Sequence, residues 1–297
     1  MRGVVVGAVA GCLLVGVPAG AFPGRNGSIA YEGNGQIALV DADGALARVL
    51  IDRGLQPAWS ADGTRLAYVV QTSPDHFELY VADADGSNPH KLTDDSQTEL
   101  QPAWSPDGRQ IAFTSGVRSP LGLSAINADG TGRRRLTRAW DLVPAWSPDG
   151  RKIAYASHRH CARRYYTTCF SEIVVMNADG TRKRRLTHSR FDDATPAWSP
   201  DGSRLVYAAF DRSQGGQVPA RTALRAMDAD GRRNRRLTSF SSFYFPAWSP
   251  DGRTIVAENR GDLYLMRPDG GGYRRLTSTP AVAERHPDWQ PIPPGSP

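Results

Sequence analysis

Lysine and glutamate are almost missing from this chain of 297 residues: 3 Lys stand beside 33 Arg, and 6 Glu beside 24 Asp. Both scarce residues are strong helix formers, so a mainly helical or coiled-coil protein is excluded. In their place 30 Gly and 22 Pro supply turns. Aromatic residues are not scarce. With 7 Trp, 10 Tyr and 9 Phe, and 40% hydrophobic residues overall, the chain can fill a core, which excludes global disorder. A turn-rich, all-β globular protein remains.

Long apolar runs are the second scarcity. One runs from Gly3 to Val17, short of the roughly 20 residues that a membrane-spanning helix needs. Met1-Arg2 precedes it and Pro18-Ala19-Gly20-Ala21 follows, with Ala19 and Ala21 as a small-x-small cleavage site. Residues 1–21 are therefore read as a secretory signal peptide. Val9-Ala10-Gly11-Cys12 resembles a bacterial lipobox, but cleavage there would leave Leu13 to Val17 on the mature chain. No later segment is apolar enough for a transmembrane helix, so the mature protein is expected to be soluble and periplasmic or secreted.

Cysteine is the third. Beyond the signal peptide only Cys161 and Cys169 remain, and export makes a disulfide between them the expected state. Together with His158 and His160 they are also zinc ligand types. They lack the usual two-to-four-residue Cys spacing, and no metal or cofactor is expected.

What the sequence has in abundance is repetition, the signature to look for first. PAWSPDG occurs at 102–108, 144–150, 196–202 and 246–252, with PAWSADG at 57–63 and a degenerate PDWQP at 287–291. The intervals between their tryptophans (Trp59, Trp104, Trp146, Trp198, Trp248, Trp289) are 45, 42, 52, 50 and 41 residues. A second Asp-Gly pair recurs at Gly44, Gly86, Gly130, Gly180, Gly231 and Gly270, and the sixth residue after each of these glycines is Leu. Each repeat thus reads strand, turn, strand, variable loop, strand, turn, strand. Such a sheet cannot bury both faces alone, and radial packing of six buries them. The orphan segment His286 to Gln290 fits as the missing first strand of the first repeat. The expected organisation is an export signal (1–21), a six-bladed β-propeller (22–291) closed by the C-terminal strand, and a short tail (292–297).

In these motifs the chain resembles the WD40-like propeller repeat of the TolB family, bacterial envelope proteins. The resemblance implies a six-bladed propeller over nearly the whole mature chain. It does not extend to the α/β domain that precedes the propeller in TolB itself.

Residues present in every repeat serve the blade. This argument retires Ser105, Ser147, Ser199 and Ser249 as nucleophiles and Asp62, Asp107, Asp149, Asp201 and Asp251 as acids or ligands, since Asp and Ser cap nearby backbone N–H groups in tight turns. Arg clusters entering the fourth strands (133–135, 182–185, 232–236, 274–275) are expected to protect sheet edges, with a cationic girdle for anionic envelope polymers, lipid headgroups or, least of these, nucleic acid as the functional alternative.

Both kinds of Asp-Gly turn leave on one face. Length variation collects on the other, at Ser157 to Glu172, Asp211 to Thr222 and Thr238 to Phe245, and that is where binding is expected. The residues before each PAW or PDW, namely Gln56, Gln101, Val143, Thr195, Phe245 and His286, should form a ring at the channel mouth. Around it we place Trp140, Tyr165, Tyr166, Phe191, Phe243 and Tyr244, and a mixed set of charges: Asp94, Asp95, Glu99, Asp141, Arg163, Arg164, Asp192 and Asp193. Aromatic and Arg residues in polar surroundings have the composition of protein-binding hot spots. No GxSxG elbow or Walker loop occurs. The expected function is a monomeric, non-enzymatic scaffold for a protein or peptide partner in the cell envelope, not a nucleic-acid binder. The alternative is a carbohydrate-active, polysaccharide lyase-like enzyme with a metal at the channel mouth, drawing on His76, His158, His160, His188 and His286.

Overall fold

Each PAWSxDG copy ends an extended segment in a residue pair that reverses the chain, and the apolar run after it pairs back antiparallel. The computed structural model describes residues 24–45, 47–117, 121–138, 140–158, 170–211, 221–239, 241–279 and 282–293. The signal peptide, Cys161, Cys169, Tyr165, Tyr166, Arg163, Arg164, His160 and most of the tail lie outside them. The described residues form six sheets, each of four antiparallel strands. In blade 3 these are β8 (Thr98–Trp104), β9 (Gln110–Gly116), β10 (Gly122–Asn127) and β11 (Arg134–Arg135), paired in chain order. Blade 1 is built from β24 (Arg285–Ile292), β1 (Arg25–Gly33), β2 (Gln36–Val40) and β3 (Ala47–Ile51), in that order. The C-terminal strand therefore closes the ring, with Trp289 opposite Ile29 and Asp288 opposite Ala30.

The retired serines and aspartates do what turn chemistry requires of them. Ser105 Oγ donates to Asp107 Oδ1 (2.6 Å) and accepts the Gln110 N–H (2.9 Å), while Asp107 Oδ1 also accepts the Arg109 N–H (3.1 Å). The same triangle recurs at Ser60/Asp62, Ser147/Asp149, Ser199/Asp201 and Ser249/Asp251. Burial works against the charge of Asp62, Asp149 and Asp201, but the hydroxyl and N–H donors outweigh it and hold these carboxyls below their ordinary range.

Blades are joined by the repeated residues. Each core cluster draws on two neighbouring blades, as where Trp104 packs with Ala58, Val69 and Val81. The indole N–H of Trp104 donates to Ala58 O (3.1 Å), and that of Trp198 to Ala145 O (3.2 Å). The second Asp-Gly turn of one blade sits on the recurrent Leu of the blade before it: Gly86 on Leu50, Gly180 on Leu136, Gly231 on Leu186. That contact explains why the two motifs travel together. The Arg clusters add a role beyond edge protection, since their guanidiniums donate to carbonyls of the next blade's turn. Arg134 reaches Ala178 O (3.2 Å), Arg184 reaches Asp230 O (3.0 Å) and Arg235 reaches Asp269 O (3.5 Å). Arg274 clips Ala42 O (2.6 Å) across the closure.

Candidate functional site at the channel mouth

Six inner strands surround the central channel: β24, β4 (Leu55–Trp59), β8, β12 (Asp141–Trp146), β16 (Asp192–Trp198) and β20 (Phe243–Trp248), and each touches the inner strands of both neighbours. Pairing of every inner strand slips just before the repeated Pro, for example between Leu55 and Ala58 and between Tyr244 and Ala247, and β24 slips a second time near its end. The ring residues are the ones at the slip. Gln56, Gln101, Val143, Thr195, Phe245 and His286 all have left-handed backbone, with φ between 46° and 55°. A bulge of this kind turns a side chain off the regular pleat. The backbone device is common to all six blades; the side chains mounted on it are not.

All six line one channel cavity of about 220 Å³ together with the proline that follows each of them. Side chains wire part of the ring together. Glu32 Oε2 accepts the Gln56 N–H (3.1 Å), Gln56 Oε1 accepts the Gln101 N–H (2.7 Å), and Gln101 Oε1 accepts the Val143 N–H (3.2 Å) and the Thr114 hydroxyl (2.9 Å). The wiring stops at blade 4. The buried Thr195 hydroxyl has no hydrogen-bond partner among the described residues. On the opposite side Phe245 stacks on His286 with centroids 3.9 Å apart, and His286 Nδ1 lies 3.0 Å from Glu32 Oε2. Burial raises the cost of charge on Glu32, but His286, the Gln56 N–H and Arg285 overcome it and keep that carboxyl low. Nearby Glu258 is pushed up to about 7 by burial, against the pull of Arg285. The mouth is thus charged and aromatic towards blades 6 and 1, and neutral towards blades 4 and 5.

Several residues expected on this face are inside it. Phe243 is buried in the core between blades 5 and 6. Glu99, Asp141, Asp192 and Asp193 are buried as well, the aspartates held by Ser157 Oγ, the Ser171 N–H and Ser189 Oγ. Thr93 Oγ lies 2.7 Å from Glu78 Oε2 and 2.9 Å from Glu99 Oε2 while accepting the Leu79 N–H. One hydroxyl proton cannot serve two carboxylates. Burial pushes Glu99 up to about 7, against the pull of Arg133, 2.7 Å away, and of the Thr93 hydroxyl. Trp140, Phe191 and Tyr244 are half-buried, and Tyr244 packs on Phe210 and Phe245.

Sequence reasoning missed Glu32, Thr114, Glu258 and Asp288. A signal was present for three of them. Glu32 and Glu258 belong to a set of only six glutamates, of which Glu78, Glu99, Glu172, Glu258 and Glu284 are buried. Asp288 is the departure of PDW from PAW. Its carboxylate accepts the Trp59 N–H (2.7 Å) from blade 2, and burial pushes it up to about 7. Among the described residues, which include His76, His158, His188 and His286 but not His160, no group of three or more His, Cys, Asp or Glu is placed to hold a metal.

The TolB beta propeller domain family, PD40, matches residues 19–172, just over half of the chain. The chain belongs to this TolB propeller family. A TolB homolog of Chlorobium luteolum is 34% identical over 116 residues, 38% of this chain and 25% of its own length. The Tol-Pal system protein TolB of Anaeromyxobacter dehalogenans is 31% identical over 118 residues, 40% of this chain and 26% of its own. This TolB-family chain therefore spans about a quarter of the curated relatives it matches. The crystal structure of TolB from Acinetobacter baumannii superposes with a TM-score of 0.74 at 23% identity, covering 94% of this chain and 69% of that one. An oligogalacturonate lyase solved with manganese shares the propeller fold at a TM-score of 0.57 and 18% identity, over 81% of this chain and 70% of that one.

Proposed function

We propose that this chain is an exported, non-enzymatic propeller that binds a protein or peptide of the bacterial envelope at the channel mouth and on the variable-loop face. One observation carries the reading. Six blades share a left-handed backbone device at the mouth, yet they mount five different residue types on it, Gln twice and Val, Thr, Phe and His once each, and a blade-forming role would not require that variety. The Phe245–His286 stack, half-buried Tyr244 and the unsatisfied Thr195 hydroxyl provide an aromatic anchor and a free polar group, the elements of a binding hot spot. The relatives named for the Tol-Pal system support a periplasmic setting and a protein partner. We further propose a disulfide between Cys161 and Cys169, and a monomeric state.

The test is capture of partners from an envelope extract by immobilised wild type and by the Phe245→Ala/His286→Ala variant. The expected result is loss of the captured species by about tenfold or more, the cost of truncating a hot spot. Equal capture by both proteins would sink the proposal. The lyase alternative is tested on oligogalacturonate with and without manganese. No turnover is expected, and turnover above background would replace the scaffold reading with an enzymatic one.

A further inference from the structure

The repeat makes each blade a control for the others. Two residues after the second Asp-Gly turn the backbone is left-handed in each blade where that position is described: Asn88 (φ 50°), Gly132 (66°), Arg182 (49°), Arg233 (48°) and Gly272 (59°). Glycine and asparagine adopt this conformation at little cost; arginine does not. The turn therefore has no need of arginine, and blades 4 and 5 carry it against backbone preference. A side chain held in a disfavoured conformation points to function rather than fold.

Charge collects at the same address. From the Asp of the second turn to the Leu that closes the segment, the formal net charge is zero in blades 1 and 2, +2 in blade 3, +3 in blade 4, +3 in blade 5 and +1 in blade 6. Blade 3 is neutralised in part, since Arg133 is paired with Asp95 and Glu99. In blades 4 and 5 Arg182, Lys183, Arg184, Arg232, Arg233 and Arg235 are all exposed. Arg232 and Arg233 pair with Asp230 (3.5 Å) and Asp228 (2.6 Å). Arg184 and Arg235 meet carbonyls, which leave their charge unneutralised. Arg182 has no hydrogen-bond or ion-pair partner among the described residues.

The patch lies on the outermost strands of blades 4 and 5 (Arg184–Arg185 and Arg235–Arg236) and on the turns that enter them, at the convex outside of the ring. The exposed large hydrophobic residues among those described are Val49, Val117 and Tyr273, and none lies in it, so it lacks the apolar anchor of a protein interface. Charge without an anchor suits a charged surface, to which basic side chains bind additively. Its restriction to two adjacent blades matches the arc along which a convex rim meets a plane; a wrapping polymer would reward charge around the whole ring. We propose that the outer rim of blades 4 and 5 docks on a membrane surface rich in anionic phospholipid, the Arg guanidiniums meeting lipid phosphates.

The test is co-sedimentation with vesicles of phosphatidylglycerol mixed into phosphatidylcholine, compared with phosphatidylcholine alone. Binding is expected to the mixed vesicles only and to vanish at high salt. Each basic side chain near such a surface contributes roughly a fivefold factor. Arg182→Gly/Arg233→Gly should therefore lower partitioning by about 25-fold while the melting temperature stays level or rises, because glycine relieves the left-handed strain. Arg48→Gln in blade 1 should change neither. The proposal is overturned by unchanged partitioning of the double variant, by a fall in its melting temperature, or by soluble heparin binding more tightly than the vesicles at equal charge concentration.

Discussion

Asp288 stands where five other blades have alanine, and the difference has a structural purpose. It reaches from the closing strand to the Trp59 N–H of blade 2, while Gln290 Nε2 donates to Gly63 O (2.9 Å) alongside it. Replacing Asp288 by Ala should cost about 1–3 kcal/mol by leaving that N–H unpaired, whereas Asp288→Asn keeps the acceptor and should be milder; denaturant melts distinguish the two. Two glycines with left-handed backbone, Gly86 of a second turn and Gly35 between β1 and β2, show a similar contrast. A Cβ at Gly86, where φ is 84°, would lie 2.6 Å from Leu50 O, whereas one at Gly35, φ 77°, would meet nothing within 4 Å. Gly35→Ala should cost about 1 kcal/mol for the backbone alone, and Gly86→Ala clearly more, as blade 2 is pushed off blade 1. Titration also belongs at this scale. Burial pushes Glu99, Asp193, Glu258 and Asp288 each up to about 7, against roughly 4 in the unfolded chain. The folded state thus holds more protons between those values, and stability falls as pH rises through that window. The turn carboxyls Asp62, Asp149 and Asp201 are held low, so their contribution is present above about pH 4 and lost on further acidification. The melting temperature should therefore be higher at about pH 5 than at about pH 8, and Glu99→Gln together with Asp288→Asn should flatten the slope. A melting temperature that rises steadily to pH 8 would contradict the burial argument.

At the scale of the element, the inner strands do the positioning and the outer strands do the joining. The outer strands of blades 2 to 6 are only two residues long, which leaves little edge for another molecule to extend. Arg side chains spend that brevity on clips to the next blade. β24 is the only strand that pairs the C-terminal end of the chain into blade 1, and side-chain contacts such as Arg274 to Ala42 O support the closure. Ending the chain at Glu284 removes the inner strand of blade 1 and exposes β1 along its length, so cooperative thermal unfolding is expected to be lost, with dye-binding apolar surface appearing at room temperature. Reading the repeats found these elements and their order, including the strand that closes the ring, because PAWSxDG and the second Asp-Gly pair are local signals of turn chemistry. The bulge was not legible. Each ring residue precedes a proline and sits in a run that reads as plain strand, and its left-handed backbone shows only where the inner strand slips against its neighbour.

For the whole molecule, closing the ring brings the six inner strands round one channel and sets their ring residues at its mouth. The six ring residues, named from their position before each proline, do line one cavity. The aromatic and charged surroundings were less legible: Phe243, Glu99, Asp141, Asp192 and Asp193 went to the interior, where Phe243 joins the core and the carboxyls meet Arg133, Ser157, Ser171 and Ser189. The channel-mouth and rim readings also separate at this scale. Phe245→Ala/His286→Ala should abolish partner capture and leave vesicle binding intact, and Arg182→Gly/Arg233→Gly should do the reverse, since the two surfaces lie on the innermost and outermost strands. By itself the sequence determined the number of blades, the turns and the closing strand, all of which follow from contacts within a few residues or from a counted period. Only the tertiary structure decided that Glu32, 24 residues before Gln56, caps its N–H, that Phe245 meets His286, and that scarce glutamates are interior residues, because each depends on which neighbouring blade a side chain faces once the ring is shut.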